Sequence, residues 1–147
     1  MTKMGLSMFG RYASGGLALL FGAAALAFGG EPVLAQSKEL SDRSVNVLMQ
    51  YAWELTPPKF TSPDGKTIEV DKTKPKDTVV ALDVAREVIK VGRLSAHAQS
   101  CDLIEEQRAN YLTLIRREEA KGSWSQQQLL YINQLHTTTV LMMTGRL

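Results

Sequence analysis

The chain has 147 residues, 17 Lys and Arg against 15 Asp and Glu, and 44% hydrophobic residues, enough for one domain and too few for two ordinary ones. Charged residues at 22% exclude disorder throughout, and a net charge of +2 gives no case for a nucleic-acid partner. The single cysteine excludes an internal disulfide scaffold and a Cys-ligated iron–sulfur cluster, and the absence of CxxCH excludes covalent haem.

Lys3 and Arg11 precede a charge-free run from Gly15 to Gly30, GGLALLFGAAALAFGG. Pro32 then breaks the apolar segment, and Val33 and Ala35 occupy the two small-residue positions of a cleavage site. This is the layout of a secretory signal peptide, and it predicts removal of residues 1–35 and a single helical domain over 36–147. The run is shorter than the roughly 20 residues a spanning helix needs and is rich in Gly and Ala. Retention as an N-terminal anchor is the alternative. No cysteine beside the cleavage point offers a lipid acceptor, and no Arg pair precedes the run. A lone cysteine fits a bacterial periplasmic protein better than a secreted eukaryotic one, so the expected location is the periplasm, with no stable membrane anchor after signal removal.

Along the remaining chain, Ser37 to Leu55 reads as a helix capped by Ser37 or Ser41, with a stripe of Val45, Leu48, Ala52 and Leu55. Thr56-Pro57-Pro58 stops it. The insert at about 58–75 holds a Ser62-Pro63-Asp64-Gly65 turn between Phe60 and an alternating Ile68 and Val70, which predicts a short β-hairpin or an ordered loop. Its lysines and carboxylates nearly cancel and read as a solvated face.

From about 80 to 121 there is no proline, and the positions Leu82, Ala85, Ile89, Gly92, Ala96, Ser100, Leu103, Gln107, Tyr111 and Leu114 keep one helical phase. That spacing predicts one long central helix, or two segments broken near Cys101, with Asp102 and Glu105 forming a capping box for the second. Val84, Val88 and Val91 add a second apolar face to the first half, so Ile89 is expected in the core. Gly92, Ala96 and Ser100 let another helix come close. Lys121-Gly122 ends the segment, and Ser123 or Ser125 caps a last helix, Ser125 with Gln128 matching a capping box. Leu129, Leu130, Ile132, Leu135, Val140, Leu141, Met142 and Met143 are its expected core, and Gly145 its end. The fold class is therefore mainly α: a small bundle of three to four helices with a loop or hairpin insert.

Chemistry-bearing residues are few. His97, Cys101 and Glu105 share a helical face, and His136 lies in the last helix. His97, Cys101 and His136 are the candidate metal ligands, for zinc, or for copper with Met142 or Met143. Zinc motifs ordinarily show two close ligand pairs, and here there is one. The plainer reading makes Cys101 a buried core thiol, slow to react. A Cys101–His97 nucleophile pair lacks an oxyanion site, and an exposed Cys101 would instead allow redox or intermolecular pairing. Glu105-Glu106 and Arg116-Arg117-Glu118-Glu119 read as solvated faces, because neighbours on a helix point about 100° apart. Trp53 and Trp124 read as lids on the core.

With no catalytic constellation, no cofactor motif and no catalytic residue indicated, the expected function is non-enzymatic: a periplasmic interaction, accessory or assembly protein. Its partner is expected to be another envelope protein or a second copy, with no nucleic acid. Metal or thiol handling by Cys101, His97 and His136 is the alternative.

Overall fold

Ser41 accepts the Ser44 backbone N–H at 3.2 Å and opens helix α1 (Asp42–Leu55) in the computed structural model, which describes residues 39–147. The proposed signal peptide lies outside the described residues. Val45 and Ala52 of the expected stripe are fully buried and Leu48 is half-buried, whereas Leu55 is exposed at the helix end.

The insert forms an antiparallel hairpin, β1 (Lys59–Thr61) with β2 (Thr67–Glu69), pairing Phe60 with Ile68. Gly65 at φ +83° closes the turn, a conformation that costs other residues more than glycine. A free two-stranded ribbon is marginal, and this one is pinned at its open end by two ties. Lys72 Nζ donates to Trp53 O and to Thr56 O (2.9 Å) and lies 4.0 Å from the Trp53 ring centroid. The last turn of α1 has no basic residue of its own, so Lys72 supplies the cation that its carbonyl end favours. At the same end, Gln127 donates to Glu69 O at 2.6 Å. Lys72 is therefore a structural cap rather than part of a solvated face.

After a 3₁₀ turn (Pro75–Asp77) come α2 (Leu82–Ser100), α3 (Ile104–Ala120) and α4 (Gln126–Met143). The seam over 82–114 does not run through a single helix. Asp102 adopts φ +56°, its N–H donates to Gln99 O (3.2 Å), and the Leu103 N–H donates to Ala98 O (2.9 Å). This is a Schellman closure, and it satisfies carbonyls that the last turn of α2 would leave open. Asp102 thus ends α2 instead of capping α3, whose N-cap is Leu103 with no side-chain bond. Ser100 and Leu103 are exposed, so no apolar packing holds the helix straight there.

The centre of the bundle is shared by α2 of the 80–121 segment, which packs against α1, α3 and α4, and by α4. The latter packs against α1, α2, α3 and β2, and Tyr131, Ile132, Leu135, Thr138 and Thr139 are fully enclosed. A helix buried on most sides is what such a position requires. Ser125 and Gln128 form the expected capping box, with N···O distances of 3.1 and 3.0 Å. Thr139 returns its hydroxyl to Leu135 O at 2.8 Å, which satisfies it inside the core. Met142 and Met143, expected in the core, are exposed at the helix end.

Helices α2 and α4 approach closely at Gly92. A Cβ there would stand 2.8 Å from Thr139 Cβ and 3.3 Å from His136 O. One apolar cluster joins the elements: Ile89, at 0% exposure, shares it with Val45 and Ala52 of α1, Leu114 of α3, and Tyr131, Ile132 and Leu135 of α4. Arg86 ties the start of α1 to α2 by donating to Leu40 O and the Asp42 carboxylate.

Glu118 departs from the solvated reading of its segment, for it is 1% exposed. Lys121 Nζ (2.6 Å), Trp124 Nε1 (3.0 Å) and Arg117 Nε (3.1 Å) donate to its carboxylate. Burial alone pushes that carboxyl up, but the three donors together outweigh burial and hold it below the ordinary value. Trp124, partly buried against the core, is both a lid and a donor. Among the described residues, no helix is long and apolar enough to cross a membrane.

Candidate functional site

Two clefts flank the contact between α2 and α4, with no lining residue in common. The first, about 410 Å3, is built on successive turns of α2: Lys90, Arg93, Leu94, Ala96, His97 and Ser100, closed by Met143 at the end of α4. Leu94 is 55% and Met143 56% exposed. No carboxylate lines this cleft, and neither Lys90 nor Arg93 is in an ion pair among the described residues. An apolar floor with a cationic rim can seat an apolar side chain and steer an anionic one.

The second cleft, about 530 Å3, lies among α2, α3 and α4. Gln99, Gln107, Arg108, Tyr111, His136 and Arg146 supply its polar wall, and Ile104, Val140 and Leu141 its apolar one. His136 is 4% exposed and its Nε2 hydrogen-bonds Ser95 Oγ at 3.0 Å. Burial pushes the imidazole down to about 4, so it is neutral near pH 7. Tyr111 rests on it, with ring centroids 5.3 Å apart and planes at 50°.

The candidate metal ligands therefore separate. His97 is exposed in the first cleft, His136 is buried on the wall of the second, and Cys101 is exposed past the last turn of α2. Among the described residues, no group of three or more His, Cys, Asp or Glu is placed to hold a metal ion. The expected burial of Cys101 is corrected. The chain turns away at Asp102, and Ser100, Asp102, Leu103 and Ile104 around the thiol are all exposed, so no partner helix covers it.

Lys90, Arg93 and Leu94 went unremarked in the sequence, as did Arg108 and Arg146. A signal was present for the first three. Leu94 lies off the apolar seam with Lys90 four residues before it and His97 three after, a mixed apolar and basic face on one side of a helix. Arg108 and Arg146 come together only through the turn at Asp102 and the end of α4. Comparison of the chain with known protein families, with curated proteins and with solved structures finds no match.

Proposed function

We propose that this is an exported, non-enzymatic accessory or assembly protein of the bacterial periplasm, which holds an acidic amphipathic segment of an envelope partner in the first cleft. The observation that supports the reading is the pairing of exposed Leu94 and Met143 with Lys90 and Arg93, neither of which is in an ion pair among the described residues. An apolar anchor of the partner would cover the two large side chains, and its carboxylates would meet the rim.

The test uses two synthetic helical peptides with the same Leu positions, one with Glu and one with Lys on the polar face. The Glu peptide should bind and weaken as salt rises. Leu94→Asp should abolish binding, and Lys90→Glu should weaken it about tenfold, the equivalent of ~1.4 kcal/mol. Equal binding of the Lys peptide, or none of either, overturns the docking reading. Self-association in sedimentation, lost in Leu94→Asp, would make a second copy the occupant instead. Export is tested separately: periplasmic protein should begin at Gln36, and full-length chain in the membrane fraction would establish an anchor.

One observation supports the thiol reading, namely the exposure of Cys101. Native Cys101 should label with a disulfide reagent as fast as it does in denaturant. A slow native reaction would mean the site is covered, and stoichiometric zinc or copper lost in Cys101→Ser would replace the docking reading with metal handling.

A further inference from the structure

The second cleft has the parts of a ligand site that neither the bundle nor the docking surface uses. Its volume falls within the range of small-molecule pockets, and it combines one apolar wall with a few convergent polar groups. Two of these are guanidinium groups. No carboxylate lines the cleft, and neither Arg108 nor Arg146 is in an ion pair among the described residues.

Arg146 is held in place. With the Gln99 amide turned so that its oxygen faces the guanidinium, that oxygen accepts from Nη1 at 2.5 Å and from Nη2 at 2.9 Å; the Gln99 nitrogen then stands 3.1 Å from the Gln107 amide, which turns with it so that its oxygen accepts. A guanidinium carries five N–H donors in a fixed plane, so this bracing leaves donors free for a ligand.

His136 adds a second, independent sign. It is nine-tenths buried or more, yet only its Nε2 is bonded, to Ser95, among the described residues. No buried side-chain nitrogen or oxygen is left without a partner there, so the unbonded Nδ1 keeps access to solvent, and the cleft is where this ring comes to the surface. Tyr111, tilted against the imidazole, fixes the ring and brings a second polar group to the same wall.

We propose that this cleft binds a small organic monocarboxylate, its carboxylate on Arg108 and Arg146 and its hydrocarbon body on Ile104, Val140 and Leu141. A planar carboxylate matches the guanidinium fork, and bidentate charge-assisted bonds are the strong ones. The apolar part of the lining, with Ile104 one turn before Arg108 and Leu141 beside Arg146, selects an acid with a hydrocarbon body over a bare inorganic anion. His136 Nδ1 and the Tyr111 hydroxyl stand beside the carboxylate as neutral hydrogen-bonding groups. The site shares no lining residue with the first cleft and stands or falls apart from the docking proposal.

The experiment is a titration of the full exported chain followed by imidazole resonances, with benzoate, hexanoate, benzyl alcohol and inorganic phosphate as probes. The chain has two histidines, one on each cleft, so His97 is an internal control. Benzoate and hexanoate should saturate and move His136 while leaving His97 in place. Benzyl alcohol and phosphate should bind at least tenfold more weakly. Arg108→Gln and Arg146→Gln, both at exposed residues, should each weaken benzoate about tenfold with an unchanged melting temperature. Benzyl alcohol matching benzoate would make the cleft a merely apolar one, and phosphate matching benzoate would make it a general anion site. Either result overturns the proposal, as does movement of His97 alone or no saturable shift. Binding of the Glu peptide at the first cleft would be unaffected by these outcomes.

Discussion

His136 shows how much one side chain can be asked to carry. Its imidazole titrates near 4 in the folded chain against an ordinary value of 6.5, because burial penalises the charged ring. Between those two values the unfolded chain binds more protons than the folded one, so stability rises with pH across the window. His136 costs the fold nothing above pH 6.5, and stability is lost progressively as pH falls from there toward 4. The full window corresponds to about 3 kcal/mol, of which about 2 kcal/mol falls between pH 7 and pH 5. Urea unfolding of wild type and His136→Gln at those two pH values isolates it: the wild type should lose about 2 kcal/mol more than the variant. An equal loss would mean that His136 is solvated when folded. Glu118 acts at lower pH, since its carboxyl lies below the ordinary 4.5 and its contribution is lost only as pH falls below that value. Neither environment is legible locally. Glu118 follows two arginines in a run that reads as a solvated face, and the three threonines after His136 give no sign of burial; only the packing of α4 on α2 and the return of Trp124 onto α3 bury them.

At the scale of elements, the contact between α2 and α4 is set by Gly92. A methyl group there would enter Thr139, which is itself fully buried and held by its bond to Leu135 O. Alanine is the better helix former by about 1 kcal/mol, so a Gly→Ala change in an open helix would stabilise. Here the clash opposes that gain, and Gly92→Ala should destabilise by about 1–3 kcal/mol in denaturant unfolding, the range for overpacked cores. A neutral or stabilising result would show that the helices part easily. This close approach was legible from the small residues at 92 and 96, as were the hairpin turn and the Ser41 and Ser125 caps, because each rests on a local preference of residue type. The break at Asp102 was legible only as an alternative. An aspartate in the left-handed region leaves no mark in the sequence comparable to the glycines at 122 and 145. The central place of α4 was hidden by Thr138 and Thr139, polar residues made core-compatible by bonds within their own helix and its neighbours in sequence. The first cleft was half visible, as the basic face around Leu94; the second needed two chain turns to bring Arg108 and Arg146 to one wall.

Whether the four helices and the hairpin unfold together is a property of the whole molecule. The apolar cluster draws on every helix, Lys72 fastens the hairpin to the end of α1, and Gln127 fastens it to the start of α4. A single shared core with such ties favours one cooperative transition, as small domains usually show. The two tryptophans report on opposite parts of that structure. Trp53 lies where α1 meets the hairpin, and Trp124 lies between α3 and α4 against Glu118. Trp53→Phe and Trp124→Phe each leave one reporter, and the effect of Ile89→Ala on each background can then be read from its own midpoint. Ile89 has no exposed surface and touches a cluster fed by all four helices, so truncating it should cost about 2–5 kcal/mol, the usual range for a large buried aliphatic side chain. Domains of this size have only about 5–15 kcal/mol in total, so the shift is large on either reporter. Both reporters should register the same loss, because a core residue shared by all elements weakens all of them at once. A loss seen by Trp124 and not by Trp53 would show that α1 and the hairpin fold apart from the rest, and a loss below about 1 kcal/mol on both would place Ile89 outside the core.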